Sequence, residues 1–494
     1  MYTLGVDIGT FESKGVLVDF SGRIVAQAAR GHEMIVPRAG WAEHRAEEDW
    51  WGDFVFITKA LLEKSQVRSE EIKAVACSAI GPCMLPLDAA GNPLMNGVLY
   101  GVDTRASAEI AWLNKALGED VILARCGNAL TSQSVGPKIL WMRRNHPELW
   151  ARTAKVVTAT TFLTQRLTGA CVIDHYTAAN FSPLYDIEAQ DWCYDLGDIC
   201  GPGMLPELLW SGEIAGHVTA QASAETGLAA GTPVTCGTID AASEAVSVGV
   251  AGPGDMMMMY GSTIFVIEVT ERRLSDARLW HAPWLYPGSH AAMAGLATSG
   301  TLTHWFRDQF ARELPRETAF ATLTAEALDS PPGARGLLCL PYFSGERTPL
   351  HDPRAVGAFF GLNLTHRRGD IYRAVLEGIA SATRHITDTY AEAGAPPRRV
   401  LAVGGGTKNR PWLQATSDLT GLDQVVARVT TGASFGDAFL AARAIGVAAE
   451  IGDWNPVAEV VRAERHQVYE RQYPLFRALY EQTKGIMAGL SDAV

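Results

Sequence analysis

The stretch MYTLGVDIGTFESKGVLVDFSGRIVAQAAR, residues 1–30, decides the fold. Residues 2–8 alternate as a strand does, Gly9 to Lys14 supply a turn, and 15–20 (GVLVDF) return. Ser21-Gly22 turn the chain again, and 23–29 continue as a third strand. A unit of the same kind stands at mid-chain, where 255–260 (DMMMMY) lead into Gly261-Ser262 and 263–269 (TIFVIEV) return. Two hairpins half a chain apart, with Gly-Thr and Gly-Ser-Thr at their turns, predict a duplicated architecture. Their flanking residues differ, so the repeat is one of structure.

Around the hairpins, strand-like and helix-like segments alternate. KAVACSAI (73–80), TPVTCGTID (232–240) and RVLAVGG (399–405) read as strands, and GPKILWMRR (136–144) as a helix. A helical run follows 405 up to Gly421. Over 370–393, Ile371, Ala374, Val375, Ile379, Ala382 and Ile386 share one helical face, and Gly394 stops the helix. Alternation of this sort predicts mixed α/β layers. Gly and Pro cluster at AGPGD (251–255), which places the boundary near residue 245 and gives domains 1–245 and 246–494.

Composition narrows the function. With 494 residues and 47% apolar content the chain can bury large cores without staples. Lys plus Arg is 42 and Asp plus Glu 54, a balance of −12 that argues against nucleic acid or an anionic membrane surface as partner. The first ten residues carry no basic leader, and no run of 18 apolar residues occurs, so a cytoplasmic location is expected. Eight scattered cysteines without CxxC spacing are expected to be reduced thiols and not zinc ligands.

Four constellations carry chemistry. Thr10, Ser13 and Lys14 lie in the first turn beside Asp7, where backbone N–H groups and a hydroxyl suit phosphate oxygens and the carboxylate suits magnesium; the bland alternative is an Asx-capped turn. Ser262 and Thr263 occupy the matching turn, where apolar Met259 replaces the carboxylate, and a plain hairpin is the alternative. Gly404, Gly405 and Gly406 with Asn409 follow a strand and precede a helix near Pro411, letting backbone approach a ligand closely. This is neither a Walker A loop nor GxGxxG, which tells against P-loop and NAD-dependent readings. Asp240, after strand 232–238, is placed as a general base or, more blandly, as a helix cap. Asp103 and Arg105 in GVDTR form a fifth, weaker pair whose alternative is a surface ion pair.

With these residues in view the chain resembles the FGGY family of carbohydrate kinases, and within it the xylulose kinases. The resemblance spans essentially the whole chain. It rests on GAFFGLNLTHRRGDIYRAVLEG (357–378), PYFSGERTPLHDP (341–353), GWAEHRAEEDWW (40–51), VGGGTKNRPWLQATSDLTG (403–421) and TGLAAGTPVTCGTIDAASEAVSVGV (226–250). KILWM (138–142) fits a further signature, although Val135 departs from the small or Pro residue expected. The resemblance implies two actin-like, ribonuclease-H-like domains flanking a deep catalytic cleft, with the sugar mostly on the first and ATP mostly on the second. It implies that Asp7 and Asp240 attend magnesium and that Thr10, Ser13, Lys14, Ser262 and Thr263 hold phosphates. Gly404 to Gly406 with Asn409 then hold adenosine, Asp240 is the base, and Asp103 with Arg105 lies near the sugar.

Two departures bear on the substrate. Xylulose kinases usually carry Met-His-Gly at the sugar pocket, where this chain has Gly81-Pro82-Cys83, and Asn after the base, where it has Ala241. D-xylulose is the leading acceptor, with ribulose, erythritol and gluconate as alternatives and a homodimer left open. An actin- or chaperone-like ATPase switch is the rival class, against which GVDTR and GERTP count.

Overall fold

The computed structural model describes residues 1–447 and 450–491, which form two compact units. The first comprises Met1–Ala251, His281–Ala291 and Thr431–Pro456; the second comprises Gly252–Trp280, Ala292–Thr430 and Val457–Val494. The division expected at 245 falls at Ala251, and a single cut misses the two later segments of the first unit. Burial explains the larger departure: every residue from Ala433 to Ala442 in the helix Ala433–Ala444 is buried, and the helix packs on the strands of the first unit.

In the first unit β1 (Tyr2–Ile8), β2 (Glu12–Asp19) and β3 (Ile24–Gly31) form an antiparallel meander, and β4 (Ile72–Ala79) runs parallel to β1. With β5 (Ile214–His217) and β6 (Pro233–Thr235) the sheet order is β5-β6-β4-β1-β2-β3. The turn expected over 9–14 is shorter, since Ser13 and Lys14 already pair with β1. Gly5 lets the helix Ala433–Ala444 approach β1: a Cβ there would stand 2.0 Å from the Ser434 carbonyl oxygen. On the sheet, α1 (Gly52–Ser65) meets β2 and β3, while Val135–Asn145 forms the predicted helix α2.

The strand expected over 232–240 is broken. Gly237 takes φ +75°, and a Cβ there would meet the Cys77 carbonyl oxygen at 2.2 Å. The chain resumes as β7 (Thr238–Ile239), which pairs with the end of β4, and Asp240 opens α3 (Asp240–Ser247).

The second unit repeats the local plan. In it β8 (Asp255–Tyr260) and β9 (Ile264–Thr270) are antiparallel, and β10 (Arg399–Val403) runs parallel to β8, as β2 and β4 flank β1. Next come β11 (Gln424–Ala427) and β12 (Val457–Val461). Met256, Met257 and Met258 are buried, as a core strand requires. Helices α4 (Gly300–Phe310), α5 (Arg368–Glu392) and α6 (Arg410–Thr420) cover this unit, and α5 ends just before Gly394 at φ +85°. All eight cysteines are free. Among the described residues no helix is long and apolar enough to cross a membrane.

Candidate active site

The two hairpin turns share one hydrogen-bonding plan. In the first, the Gly9 N–H closes the turn on the Glu12 carbonyl at 3.2 Å. Its carbonyls are then captured from behind: His32 Nε2 lies 3.1 Å from Gly9 O, His44 Nε2 lies 3.1 Å from Thr10 O, and the His32 N–H donates to Phe11 O at 3.0 Å. In the second, the Gly261 N–H closes on Thr263 O at 3.1 Å. The Gly300 N–H and Ser299 Oγ donate to Gly261 O, while the N–H groups of Ser299 and Thr301 and the Thr301 hydroxyl donate to Ser262 O. Among the described residues, the N–H groups of Thr10, Phe11, Ser262 and Thr263 have no partner within the chain. Consecutive free N–H groups form a nest for an anion.

Beside the first turn stands a set of carboxylates. Ser78 Oγ lies 2.7 Å from Asp437 Oδ2 and 3.1 Å from Asp7 Oδ1, and Ser243 Oγ donates to Asp437 Oδ1. Asp240 Oδ1 accepts the Ala241 N–H at 2.7 Å, so the bland capping role is partly present. Burial pushes Asp7 well above the usual carboxylate range, helped by the charges of Asp240 and Asp437. Burial also raises Asp240, and it pushes Glu244 and Asp437 each up to about 7. Among the described residues no guanidinium pairs with these groups; Lys14, exposed and 3.1 Å from Glu12, eases Glu244.

Buried carboxylates gathered in this way fit a divalent ion. Among the described residues no three His, Cys, Asp or Glu side chains converge as a complete metal site. Magnesium takes one or two carboxylates together with phosphate oxygens and water. Asp7 and Asp240 are the residues that would hold it.

In the second unit a cavity of about 590 Å³ opens between the Ser262 turn and the triple glycine, lined also by Lys408, His304 and Phe320. That volume and mixed lining suit a small-molecule ligand. Each glycine has a different reason. Gly404 takes φ +96°, and a Cβ on Gly406 would strike the Trp412 ring at 2.5 Å, whereas a Cβ on Gly405 would meet nothing within 4 Å. Asn409 lines the cavity, but its amide caps α6 through the Trp412 N–H and donates to Tyr372 Oη at 3.0 Å.

Some expected contacts are redirected. Ser13 is fully buried, and its hydroxyl donates to Asp53 Oδ2 at 2.7 Å, so it braces the turn from behind instead of facing a phosphate. Asp103 and Arg105 are neither a surface pair nor presented to solvent. The Arg105 guanidinium binds Asp103 at 2.7 Å and Glu43 at 2.9 Å and lies over Trp41 and Trp141. Pro82 and Cys83 are buried too, with the thiol directed at Ile80 O and pushed up to about 12 by burial. Neither supplies an exposed polar group for a sugar.

Sequence reasoning missed Asp437, Glu244 and the two histidines. An aspartate inside the small and apolar run GASFGDAFLAA (432–442) was the available signal, because a carboxylate in such a helix face must be held for a reason.

The model of the FGGY family of carbohydrate kinases, N-terminal domain, matches residues 2–247, and the C-terminal domain model matches 256–445. The chain belongs to the FGGY family of carbohydrate kinases. This FGGY kinase is 28% identical to a xylulose kinase of Bacillus subtilis (strain 168) over 506 residues, covering 99% of each chain. It is 25% identical to a gluconokinase of the same organism, over 97% of this chain and 94% of that one. The crystal structure of a xylulose kinase from Rhodospirillum rubrum superposes with a TM-score of 0.93 at 30% identity, covering 99% of this chain and 100% of that one. The FGGY chain is therefore a phosphotransferase that acts on carbohydrate.

Proposed function

We propose that the protein transfers the terminal phosphoryl group of ATP to a primary hydroxyl of a small sugar, D-xylulose first among candidates. The observation that carries the phosphate reading is the shared plan of the two turns, each with captured carbonyls and consecutive free N–H groups. Adenosine is assigned to the cavity over Gly405 and Gly406, with Lys408 beside the phosphates. Asp7 and Asp240 would hold a magnesium ion, which would supply charge neutralisation for the phosphates. Asp240 accepts the hydroxyl proton as the sugar oxygen attacks phosphorus, and its raised pKa keeps it basic enough to take that proton.

Similarity to xylulose kinases over nearly the whole chain supports D-xylulose. A second reading, gluconate or another polyol, is favoured by the gluconokinase relative and by the buried Pro82-Cys83. ADP release measured across pentuloses, polyols, hexoses and gluconate decides between them. The highest kcat/KM on D-xylulose supports the first reading; a far better gluconate or polyol value replaces it. Equal ADP release without any sugar overturns the kinase assignment itself.

A further inference from the structure

We propose that His32 and His44 are positioning residues that set the first turn for phosphate by locking its carbonyl oxygens. This rests on the reading of that turn as a phosphate site. The hydrogen bonds fix the protonation of each ring. Trp50 Nε1–H donates to His44 Nδ1 at 3.1 Å, so the His44 proton sits on Nε2 and points at Thr10 O. Burial and the neighbouring His32 push His44 down to about 4, so it stays neutral while it donates. His32 differs: Nδ1 is 2.8 Å from Asp53 Oδ2, and Nε2 is 3.1 Å from Gly9 O. A carboxylate and a carbonyl only accept, so the two contacts are both hydrogen bonds when the ring carries both protons; burial opposes that charge, and the Asp53 hydrogen bond and charge outweigh it and raise the His32 pKa.

Its surroundings sustain that charge. Asp53 is buried, pairs with Arg30 at 3.2 Å and accepts from Ser13, while Asp49 adds negative charge from the same side. His44 stands edge-on to His32 with ring centroids 4.8 Å apart and adds no charge of its own. With all three carbonyls of the turn held on one side, the peptide planes of Thr10 and Phe11 present their N–H groups on the other. In the second unit, Ser299, Gly300 and Thr301 do the equivalent work with donors that do not titrate. Only the first turn therefore depends on pH through its lock.

The test compares the affinity for magnesium-ATP with that for adenosine, by titration calorimetry on the whole protein. Adenosine has no phosphate, so a locking role moves the ratio of the two affinities, whereas a general packing defect weakens both. His44→Phe and His32→Phe should each weaken ATP by about three- to tenfold, the usual net value of a hydrogen bond, with adenosine unchanged. His44→Gln, which keeps a donor near the Nε2 position, should restore ATP affinity to within about twofold. Wild-type affinity for ATP should fall from pH 6 to 9 more steeply than that of His32→Gln, whose amide cannot titrate. That pH comparison decides the matter should either Phe variant fail to fold.

Equal losses for ATP and adenosine, a His44→Gln as weak as His44→Phe, or identical pH profiles would overturn the proposal. Thr10→Ala and Lys14→Ala serve as controls on the parent reading. Weakened ATP binding in these two with intact His variants sinks the lock alone. Unchanged ATP binding in all of them removes the phosphate assignment of the turn.

Discussion

Replacing Asp240 by Asn separates catalysis from stability, because the two should move in opposite directions. Asparagine keeps the shape and the acceptor for the Ala241 N–H, but it cannot take a proton. Loss of a general base costs roughly 10²–10⁴-fold in kcat. At 1.36 kcal/mol per decade this is about 3–5 kcal/mol of barrier. Stability runs the other way. Burial raises the carboxyl from an ordinary 3.8 to about 6. A raised carboxylate pKa means that the folded state favours the protonated form. The stabilisation is complete below the unfolded value and lost as pH rises through 6. Two units at 1.36 kcal/mol make the penalty at pH 8 at most about 3 kcal/mol. The variant escapes that penalty, so its Tm should exceed the wild-type Tm at pH 8 and approach it at pH 5. Sugar-dependent ADP release and scanning calorimetry at both pH values read the two effects, with ATP binding preserved. Near-normal turnover would refute the base assignment, and a Tm lower at pH 8 than at pH 5 relative to wild type would refute the electrostatic reading.

Other perturbations have equally distinct readouts. Gly405→Leu should leave the fold intact, since its side chain enters open cavity, yet weaken ATP by roughly tenfold, about 1.4 kcal/mol, while sugar affinity holds in calorimetric titration. Asp437→Asn should narrow the Tm difference between pH 5 and pH 8, because burial holds that carboxyl near 7 and its stabilising effect fades as pH rises through that value. Gly5→Ala should cost roughly 1–3 kcal/mol in denaturant unfolding, an overpacked contact of the Ser434 carbonyl against β1; an unchanged midpoint would contradict the close helix approach.

The architecture was legible because the hairpins announce themselves by alternation and turn residues, and local pattern dictates β1, β2, β8 and β9. The triple glycine was legible as a close-approach site, though its three positions turn out to do three different things. What stayed hidden depends on contacts distant in sequence. Ser13 reads as a turn hydroxyl until Asp53, forty residues on, claims it. The sequence leaves Asp103 and Arg105 open between a surface ion pair and a place near the sugar, and the contacts with Glu43, Trp41 and Trp141 that remove the surface reading are not visible in it. The sugar's identity is hidden for the same reason, since Gly81, Pro82 and Ala241 carry no polar side-chain atom and Cys83 is buried.

The helix Ala433–Ala444, seated in the groove that Gly5 opens on β1, has a consequence for synthesis. More than four hundred residues of sequence separate β1 from the helix that covers it. Two of the three segments of the second unit, Gly252–Trp280 and Ala292–Thr430, precede that cover in the chain. A fragment ending at Ala251 would lack that helix and leave the apolar face of β1 open to association. β1 is completed by a helix far along the chain, so the first unit is whole only once residues 431–456 have joined it.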